Sequence, residues 1–247
     1  MIYSPRHKLV ILLPWKTGSQ TLRARLQHIN QSPYPEFFHF NPHLNRVVHQ
    51  HLTLADFMAL PEGREGCRLA VFVRNPYDRV VSGWRQLLKD VAWQPSAKFE
   101  QPWIRDLVAQ QLADNFAMLC KTQFALDPWF QQLPSYQILE AGRDTSLPLH
   151  PAHYHTHLGG RQIASFIGRV ERFEEDFATL CQAAGIEDAG RQTGNRSEEQ
   201  GTPDANGYRY ASALQPHTIA RIEELFADDF ALFGYPLLSQ QRERATS

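Results

Sequence analysis

Apolar runs that lead directly into helical stripes predict a sheet whose strands are each followed by a helix. The run at 9–13 is long enough for a strand buried on both faces, which is typical of parallel sheets. Pro14 ends this run, and Leu22, Leu26 and Ile29 then recur at helical spacing. The first part of the chain is therefore predicted to form a strand, a loop and a helix.

The same order of elements returns further along the chain. A second apolar run at 69–73 is followed by Asn75, a favoured helix N-cap, and by Pro76, which suits the first helical position. Further strands are predicted at 47–48, 136–139 and 164–170, with helical patterns at 86–130, at 173–184 and from Pro216. This pattern predicts an α/β fold with a mostly parallel sheet.

Composition narrows the class of protein. The chain has 247 residues, enough for one domain with a sizeable core, and residues 239–247 form a polar tail that is predicted to fray. A formal net charge of −1 argues against a general nucleic-acid or membrane-surface binder. Cys67, Cys120 and Cys181 are odd in number and widely spaced, which predicts reduced core thiols rather than a disulfide framework.

The first apolar run also bears on the expected location. It is too short for a signal peptide or a membrane span, and the pattern already uses it as the first strand. We therefore expect a cytoplasmic protein without stable membrane insertion. The sequence carries no signal for an oligomeric state.

The loop after the first strand has the composition of an anion-binding turn. It contains, in order, Lys16, Thr17, Gly18, Ser19, Gln20 and Thr21. Small and hydroxyl residues that open a helix can direct several backbone N–H groups at one anion, and Lys16 adds a mobile positive charge. The order differs from the GxxxxGK[ST] loop of nucleotide triphosphatases, because here the lysine precedes the glycine. For this segment alone, a plain strand-to-helix turn with a surface lysine is the alternative interpretation.

A second phosphate site is indicated at the end of the second strand. Arg74 follows the strand directly, and Ser82 lies within the first two turns of the next helix. Two phosphate sites at the ends of two strands imply a ligand with a phosphate at each end, lying across the carboxyl edge of the sheet.

These two segments carry a family resemblance. LPWKTGSQTL resembles the 5′-phosphosulfate loop of sulfotransferases, and VRNPYDRVVSGW is similar to their 3′-phosphate motif, an arginine with a serine eight positions on. The resemblance implies 3′-phosphoadenosine 5′-phosphosulfate (PAPS) as sulfuryl donor and adenosine 3′,5′-bisphosphate (PAP) as product, with no metal required. It also implies a three-layer α/β sandwich with a P-loop-like first turn. Trp15 and Gln20 depart from the smaller or hydroxyl residues that many members carry in the donor loop.

Weaker matches extend the resemblance along the chain. FIGRVERFEEDF at 166–177 is similar to a segment of carbohydrate sulfotransferases, and FADDFALFGY at 226–235 resembles the family's usual ending. These matches favour a carbohydrate as the hydroxyl-bearing acceptor. Asn195, Arg196 and Ser197 resemble a family loop that reaches the donor. Arg169 ends a predicted strand and has two open roles, a contact to the donor or a salt bridge with a nearby carboxylate.

Two histidines precede the predicted helix that Thr53 caps. His49 and His51 lie two apart on an extended segment and should face the same side. Local hydrogen bonding and a metal site are both open, although no carboxylate or cysteine partner lies at recognisable metal-site spacing. HQHLTLADF is similar to the histidine pair of heparan sulfate 2-O-sulfotransferases, whose second histidine is the catalytic base. The resemblance implies that His51 is the base and His49 its helper, with Lys16 stabilising the leaving group.

A second group of histidines lies between proline and glycine. His150, His153, His155 and His157 suggest zinc, but their spacing matches no standard site, and we predict a surface loop or a lid over the acceptor cleft. No metal is expected there.

Two other classes of function stay open at this point. A P-loop nucleotide kinase would share the strand, loop and helix, but it needs Mg²⁺ and usually a loop with lysine at its end. A non-catalytic nucleotide- or glycan-binding module would keep Arg74 and Ser82 without any need for His51.

Overall fold

Unbroken apolar runs form the central strands of the main sheet. The structure is a computed structural model that describes most of the chain. The described residues are 1–34, 38–64, 66–90, 102–140, 149–190 and 202–240. They divide into a first unit, Met1–Arg74 with Ala152–Thr202, and a second unit, Asn75–Pro151 with Pro203–Ser247. The expectation of a single domain over the whole chain stays a prediction.

The strands and helices follow in chain order. The strands are β1 (Ile2–Ser4), β2 (Leu9–Leu12), β3 (Phe38–Asn41), β4 (Arg46–His49), β5 (Arg68–Val73), β6 (His157–Leu158), β7 (Arg161–Gln162) and β8 (Phe166–Arg169). The α-helices are α1 (Ser19–Leu26), α2 (Leu54–Met58), α3 (Pro76–Asp90), α4 (Pro102–Lys121), α5 (Leu126–Gln132), α6 (Ser135–Leu139), α7 (Phe173–Ala184), α8 (Pro216–Leu225) and α9 (Ala227–Phe233).

The main sheet of the first unit is mostly parallel. Its order is β1-β2-β5-β8, with β2, β5 and β8 parallel to one another and β1 antiparallel at the edge. Leu12 of β2 pairs with Val71 of β5, and Val73 of β5 pairs with Arg169 of β8. The prediction of an α/β fold with a mostly parallel central sheet is thus confirmed. The three-layer arrangement and the P-loop-like detail stay predictions.

One face of this sheet packs against α1 and α7. Leu22 of α1 and Phe177 of α7 share one buried cluster with Ile11 and Phe72 of the sheet. A Cβ atom on Gly168 of β8 would lie 2.6 Å from the Phe72 ring, so glycine is required where this ring covers the strand. The predicted strand, loop and helix at the start of the chain are present and form this core.

The described part of the second unit is helical. Asn75 caps α3 as predicted, since its Oδ1 accepts the backbone N–H of Asp78 at 2.8 Å. Tyr77 of α3 packs against Phe230 of α9, with ring centroids 5.0 Å apart, and its hydroxyl donates to Glu223 Oε1 at 2.6 Å. Burial and this hydrogen bond raise the pKa of Tyr77 above its ordinary value.

One predicted strand is wrong. Residues 135–139 form α6, which begins directly after Pro134. Only Ile138 of this helix is buried, whereas Tyr136 and Leu139 are exposed. A short run of Tyr, Ile and Leu satisfies strand and helix patterns equally well, and here packing of the single buried residue decided between them.

The extent of two other predicted strands also differs. The predicted strand at 164–170 is shorter and spans Phe166–Arg169. The predicted strand at 47–48 is part of a hairpin, in which β4 pairs with β3. Thr53 caps α2 as expected, its side chain accepting the N–H of Asp56 at 3.2 Å.

The three cysteines differ in burial. Cys181 is buried, whereas Cys67 is half-buried and Cys120 is exposed. The prediction of core thiols is therefore correct for Cys181 and wrong for Cys120, which lies on the solvent side of α4. Burial raises the pKa of Cys181 to about 11.

None of the helices in the described ranges has the length and apolar character needed to cross a membrane.

Candidate functional site

The loop between β2 and α1 turns sharply at two residues. Lys16 and Gly18 have φ angles of 66° and 81°, both in the left-handed region. Gly18 is the N-cap of α1, and its carbonyl accepts the Leu22 N–H at 3.0 Å. Thr17 is fully buried and donates from its hydroxyl to the Pro14 carbonyl at 2.8 Å. The buried Thr17 side chain therefore stabilises the conformation of the loop.

Phe173 lies against the glycine of this loop. A Cβ atom on Gly18 would lie 3.4 Å from the Phe173 ring, and its positive φ already disfavours any other residue. Phe173 and Phe177 of α7 stack with ring centroids 5.7 Å apart. The first turn of α7 thus supports the loop that opens α1.

The start of α1 can receive an anion. The first backbone N–H groups of a helix have no partner within it, and here they belong to Ser19, Gln20 and Thr21. Gln20 is exposed, and the other two are half-buried. The Lys16 Nζ lies 5.7 Å from the centroid of the Trp15 ring, so the tryptophan that departs from the family pattern contacts the loop lysine.

Two predicted donor-binding arginines end neighbouring strands of the same sheet. Arg74 follows the last residue of β5, and Arg169 ends β8 opposite Val73. Because β2, β5 and β8 are parallel, Lys16, Arg74 and Arg169 all lie toward one edge of the sheet.

Asp176, a candidate salt-bridge partner of Arg169, contacts the backbone of Arg169 and the side chain of Arg172. The Arg169 backbone N–H donates to Asp176 Oδ2 at 2.7 Å. An ion pair to the same carboxylate comes from Arg172, whose Nη2 lies 3.4 Å from Asp176 Oδ1. The donor contact of the Arg169 side chain stays a prediction.

His51 is fixed directly beside the loop. Its side chain is 5 % exposed, and Nδ1 lies 2.5 Å from the carbonyl oxygen of Leu13, the residue before Pro14. A carbonyl can only accept, so Nδ1 carries the proton of this hydrogen bond. In the neutral ring Nε2 then carries the lone pair, which is the state that a general base needs.

His49 belongs to a different backbone element from His51. β4 ends at His49, where the backbone pairs with Phe38, and His51 lies beyond the strand. The strand therefore ends between the two histidines. The helper role of His49 stays a prediction.

Ser82 lies in the second unit, whereas Arg74 belongs to the first. Ser82 is half-buried on α3. The joint contact of Arg74 and Ser82 to one phosphate therefore stays a prediction. Asn195, Arg196 and Ser197 lie outside the described residues.

Asp78 has a role that sequence reasoning did not find. Its buried carboxylate accepts the backbone N–H groups of Arg209 and Tyr210 at 3.0 Å and 2.9 Å. Asp78 lies in the first turn of α3, where any acidic residue is favoured. Only the fold shows that it anchors the segment that precedes α8.

The histidines at 150–157 do not form the expected surface loop throughout. His150 and His155 are 7 % and 1 % exposed, so the expectation of a surface loop is wrong for these two. His150 Nδ1 lies 3.2 Å from the Ile138 carbonyl, and its own carbonyl accepts from Arg79. Within the described ranges, no group of three His, Cys, Asp or Glu residues is arranged to hold a metal ion.

Arg25 is a further residue whose role the sequence pattern did not predict. It is buried on α1, with its guanidinium carbon 4.0 Å from the centroid of the Phe177 ring. Nε donates to Asp188 at 3.0 Å and Nη1 to Glu174 at 2.7 Å. The hydrogen bond to Asp188, followed by that to Glu174, raises the pKa of Arg25, and the hydrogen bond from Arg25 lowers the pKa of Asp188. Arg25 thus joins α1 to α7, and no sequence motif indicated this role.

Comparison with known proteins gives one family and one solved structure. The family model described as "Sulfotransferase family" matches residues 1–236. A crystal structure of a sulfotransferase from Alicyclobacillus acidocaldarius matches with 15 % identity and a TM-score of 0.32, covering 76 % of this chain and 63 % of that one. The chain thus spans less than two thirds of the length of this solved protein. No match was found among curated proteins.

Proposed function

Because the chain belongs to the sulfotransferase family, we propose that it transfers the sulfuryl group of PAPS to a hydroxyl group of a carbohydrate and releases PAP. The fixed position of His51 beside the loop carries this proposal, since it joins a base to an anion-binding turn within one unit. The matching family supports sulfuryl transfer in general. The donor and the acceptor class are the parts that need a test.

The donor loop supplies positive potential where the leaving group forms. Lys16 and the first N–H groups of α1 would hold the 5′-phosphosulfate of the donor. When the bond between sulfur and the bridging phosphate oxygen breaks, negative charge grows on that oxygen. A preorganised cation with backbone dipoles stabilises such charge without rearrangement, as in phosphoryl transfer. Thr17 contributes indirectly, because its hydroxyl fixes the loop through the Pro14 carbonyl.

His51 would activate the acceptor. Its Nδ1 is held by the Leu13 carbonyl, so Nε2 can take the proton of the acceptor hydroxyl as the new oxygen–sulfur bond forms. The acceptor hydroxyl is a poor nucleophile without this step. The hydrogen bond from Nδ1 also stabilises the imidazolium that results, because it already points at a carbonyl oxygen.

Arg74 would bind the 3′-phosphate at the end of β5. It is half-buried at the same sheet edge as the donor loop, and a guanidinium matches the geometry of a phosphate. Ser82 on α3 and the segment with Asn195, Arg196 and Ser197 complete this part of the proposal. The similarity of HQHLTLADF to the histidine pair of heparan sulfate 2-O-sulfotransferases supports a carbohydrate acceptor.

Calorimetric titration with PAP, 5′-AMP and ATP in the presence of EDTA tests the donor assignment. We expect clear preference for PAP, because only PAP presents both phosphates. Arg74→Gln should remove most of this preference while leaving the affinity for 5′-AMP nearly unchanged. A charge-assisted contact to phosphate corresponds to about a tenfold or greater loss of PAP affinity.

Three results would contradict the proposal in different ways. Equal affinity for PAP and 5′-AMP would remove the second phosphate site. Magnesium-dependent preference for ATP would favour a P-loop kinase. Tight PAP binding without turnover of PAPS against a broad panel of hydroxyl acceptors would favour a non-catalytic binding module.

A further inference from the structure

The guanidinium of Arg25 is held between two carboxylates in the first unit. The Arg25 side chain is 5 % exposed, and its Nε and Nη2 each donate to one oxygen of the Asp188 carboxylate, Nε at 3.0 Å. Nη1 donates to Glu174 Oε2 at 2.7 Å. Because charge-assisted and bidentate hydrogen bonds are directional, they fix the plane of this guanidinium as well as its position.

The same guanidinium lies against two aromatic rings of α7. Its carbon is 4.0 Å from the centroid of the Phe177 ring and 5.8 Å from the centroid of the Phe173 ring. The two rings are nearly parallel, with an angle of 9° between their planes. A planar cation is attracted to the faces of such rings, so Arg25 stabilises the position of both.

Phe173 connects Arg25 to the donor loop. The Phe173 ring also packs against Phe72 of β5, with ring centroids 5.2 Å apart, so it is held between the sheet and Arg25. A Cβ atom on Gly18 would lie 3.4 Å from the same ring. Gly18 is the N-cap of α1, and its position therefore sets where the first N–H groups of that helix point. Close contacts thus lead from the Asp188 carboxylate to the donor loop.

Arg25 influences the loop without reaching the donor itself. It lies two turns after Gly18 on α1, about 10 Å along the helix axis. Its guanidinium is already bound by Asp188 and Glu174, and the hydrogen bond to Asp188 raises its pKa, so it stays charged. The role left to Arg25 is to fix the geometry of its neighbours.

We propose that Arg25 is a positioning residue for the sulfuryl donor. Through Phe173 it keeps Gly18 and the first N–H groups of α1 where they can receive the 5′-phosphosulfate. This inference rests on the proposed function, and it adds a residue that does not contact the donor. A displacement of about 1 Å in such a site can lower a rate about a hundredfold, so a remote residue that fixes the loop has a measurable effect.

Calorimetric titration with PAP and 5′-AMP compares the parent with Arg25→Met, which keeps a similar length without charge or donors. Both ligands carry the 5′-phosphate that the loop would hold, so both affinities should fall by the same factor, about tenfold. The preference for PAP over 5′-AMP should therefore persist, in contrast to Arg74→Gln, which should remove it. A loss of affinity for PAP alone in Arg25→Met would overturn the proposal.

A matched control separates this effect from a loss of stability. Leu180 of α7 is 3 % exposed and belongs to the same buried cluster as Phe177, so Leu180→Ala should also lower the melting temperature. All titrations are made at a temperature at which thermal unfolding shows each variant to be folded. Leu180→Ala should bind PAP as the parent does. An equal loss of affinity in Leu180→Ala and Arg25→Met would overturn the proposal, because affinity would then follow stability.

A double-mutant cycle tests the route through Phe173. Phe173→Leu removes the ring, and it should weaken the binding of PAP and 5′-AMP by about the same factor as Arg25→Met. In the double variant the two losses should not add, because Arg25 acts through that ring. Additive losses would overturn the proposal, which names Phe173 as the link.

The outcomes distinguish this inference from the proposed function. A parent that binds neither PAP nor 5′-AMP would overturn both. A parent that prefers PAP, with Arg25→Met binding both ligands equally tightly, would overturn this inference alone. If Arg25→Met fails to fold, Asp188→Asn keeps the buried arginine but removes the charge of its bidentate partner, and it should weaken both ligands about threefold. Binding like that of the parent in Asp188→Asn would then overturn the inference.

Discussion

Replacing His51 by asparagine should separate its two roles at the donor loop. The side-chain amide of asparagine can place an N–H group close to where Nδ1 of the histidine lies, so the bond to the Leu13 carbonyl can persist. The group at Nε2, which would take the acceptor proton, is absent in this variant. His51→Asn should therefore keep the loop and lose the base.

The expected fall in kcat follows from losing the base while the loop stays in place. A positioned general base contributes about 10²–10⁴-fold to the rate, so kcat should fall by that factor in His51→Asn. That factor corresponds to about 3–5 kcal/mol of transition-state stabilisation. PAP affinity should change less than about threefold, because the loop is still held. His51→Ala should in addition leave the Leu13 carbonyl without this partner, at a cost of about 1–3 kcal/mol in stability.

The assay measures PAP release from PAPS in the presence of an acceptor found in a hydroxyl-compound panel. The parent should show an acidic limb in the pH dependence of kcat/KM, where the base becomes protonated, and His51→Asn should lack this limb. Calorimetric titration with PAP and thermal unfolding provide the control for loop integrity. Unchanged kcat in His51→Asn, with the acidic limb intact, would refute the assignment of His51 as base.

Three further predictions concern the packing and the titrating groups. Gly168→Ala should destabilise the protein by about 1–3 kcal/mol, because the new Cβ meets the Phe72 ring at 2.6 Å, and Phe72→Leu in the same chain should restore part of the melting temperature. Since the pKa of His39 is lowered to about 4, the unfolded state binds a proton between about pH 6.5 and 4 that the folded state does not, so stability should fall as pH decreases through this window. His39→Phe should flatten that dependence, and an equal slope in both proteins would contradict it. Iodoacetamide should modify Cys120 in the folded protein and spare Cys181 until it unfolds, because the buried thiol has a pKa of about 11, and peptide mass spectrometry checks both sites.

The helices and strands that were predicted correctly are those that depend on residues close together in sequence. Asn75 and Thr53 cap their helices as predicted, because a cap depends only on a side chain and the next few N–H groups. The buried strand at the start of the chain and the helix after it followed from unbroken and periodic apolar positions. The predicted strand at 136–139 is wrong because its four residues fit either period, and burial there depends on neighbours that are distant in sequence.

For the candidate site, the residues themselves could be chosen from the sequence, but their hydrogen-bond partners are visible only in the fold. The loop residues and His51 could be chosen from motifs, but the hydrogen bond between His51 and Leu13 joins positions 38 residues apart. The hydrogen bond from buried Arg25 to Asp188 spans 163 residues, and no local sequence pattern predicts it.

The sequence by itself determined the two buried strands that each lead into a helix, the composition of the loop after β2 and the family, since each depends on residues that are close together along the chain. Tertiary structure decided which side chains are buried, which carbonyl holds His51, and which arginines have counter-ions. Those properties arise where strands and helices meet, because burial removes water and leaves each polar group dependent on whatever neighbour the fold places beside it.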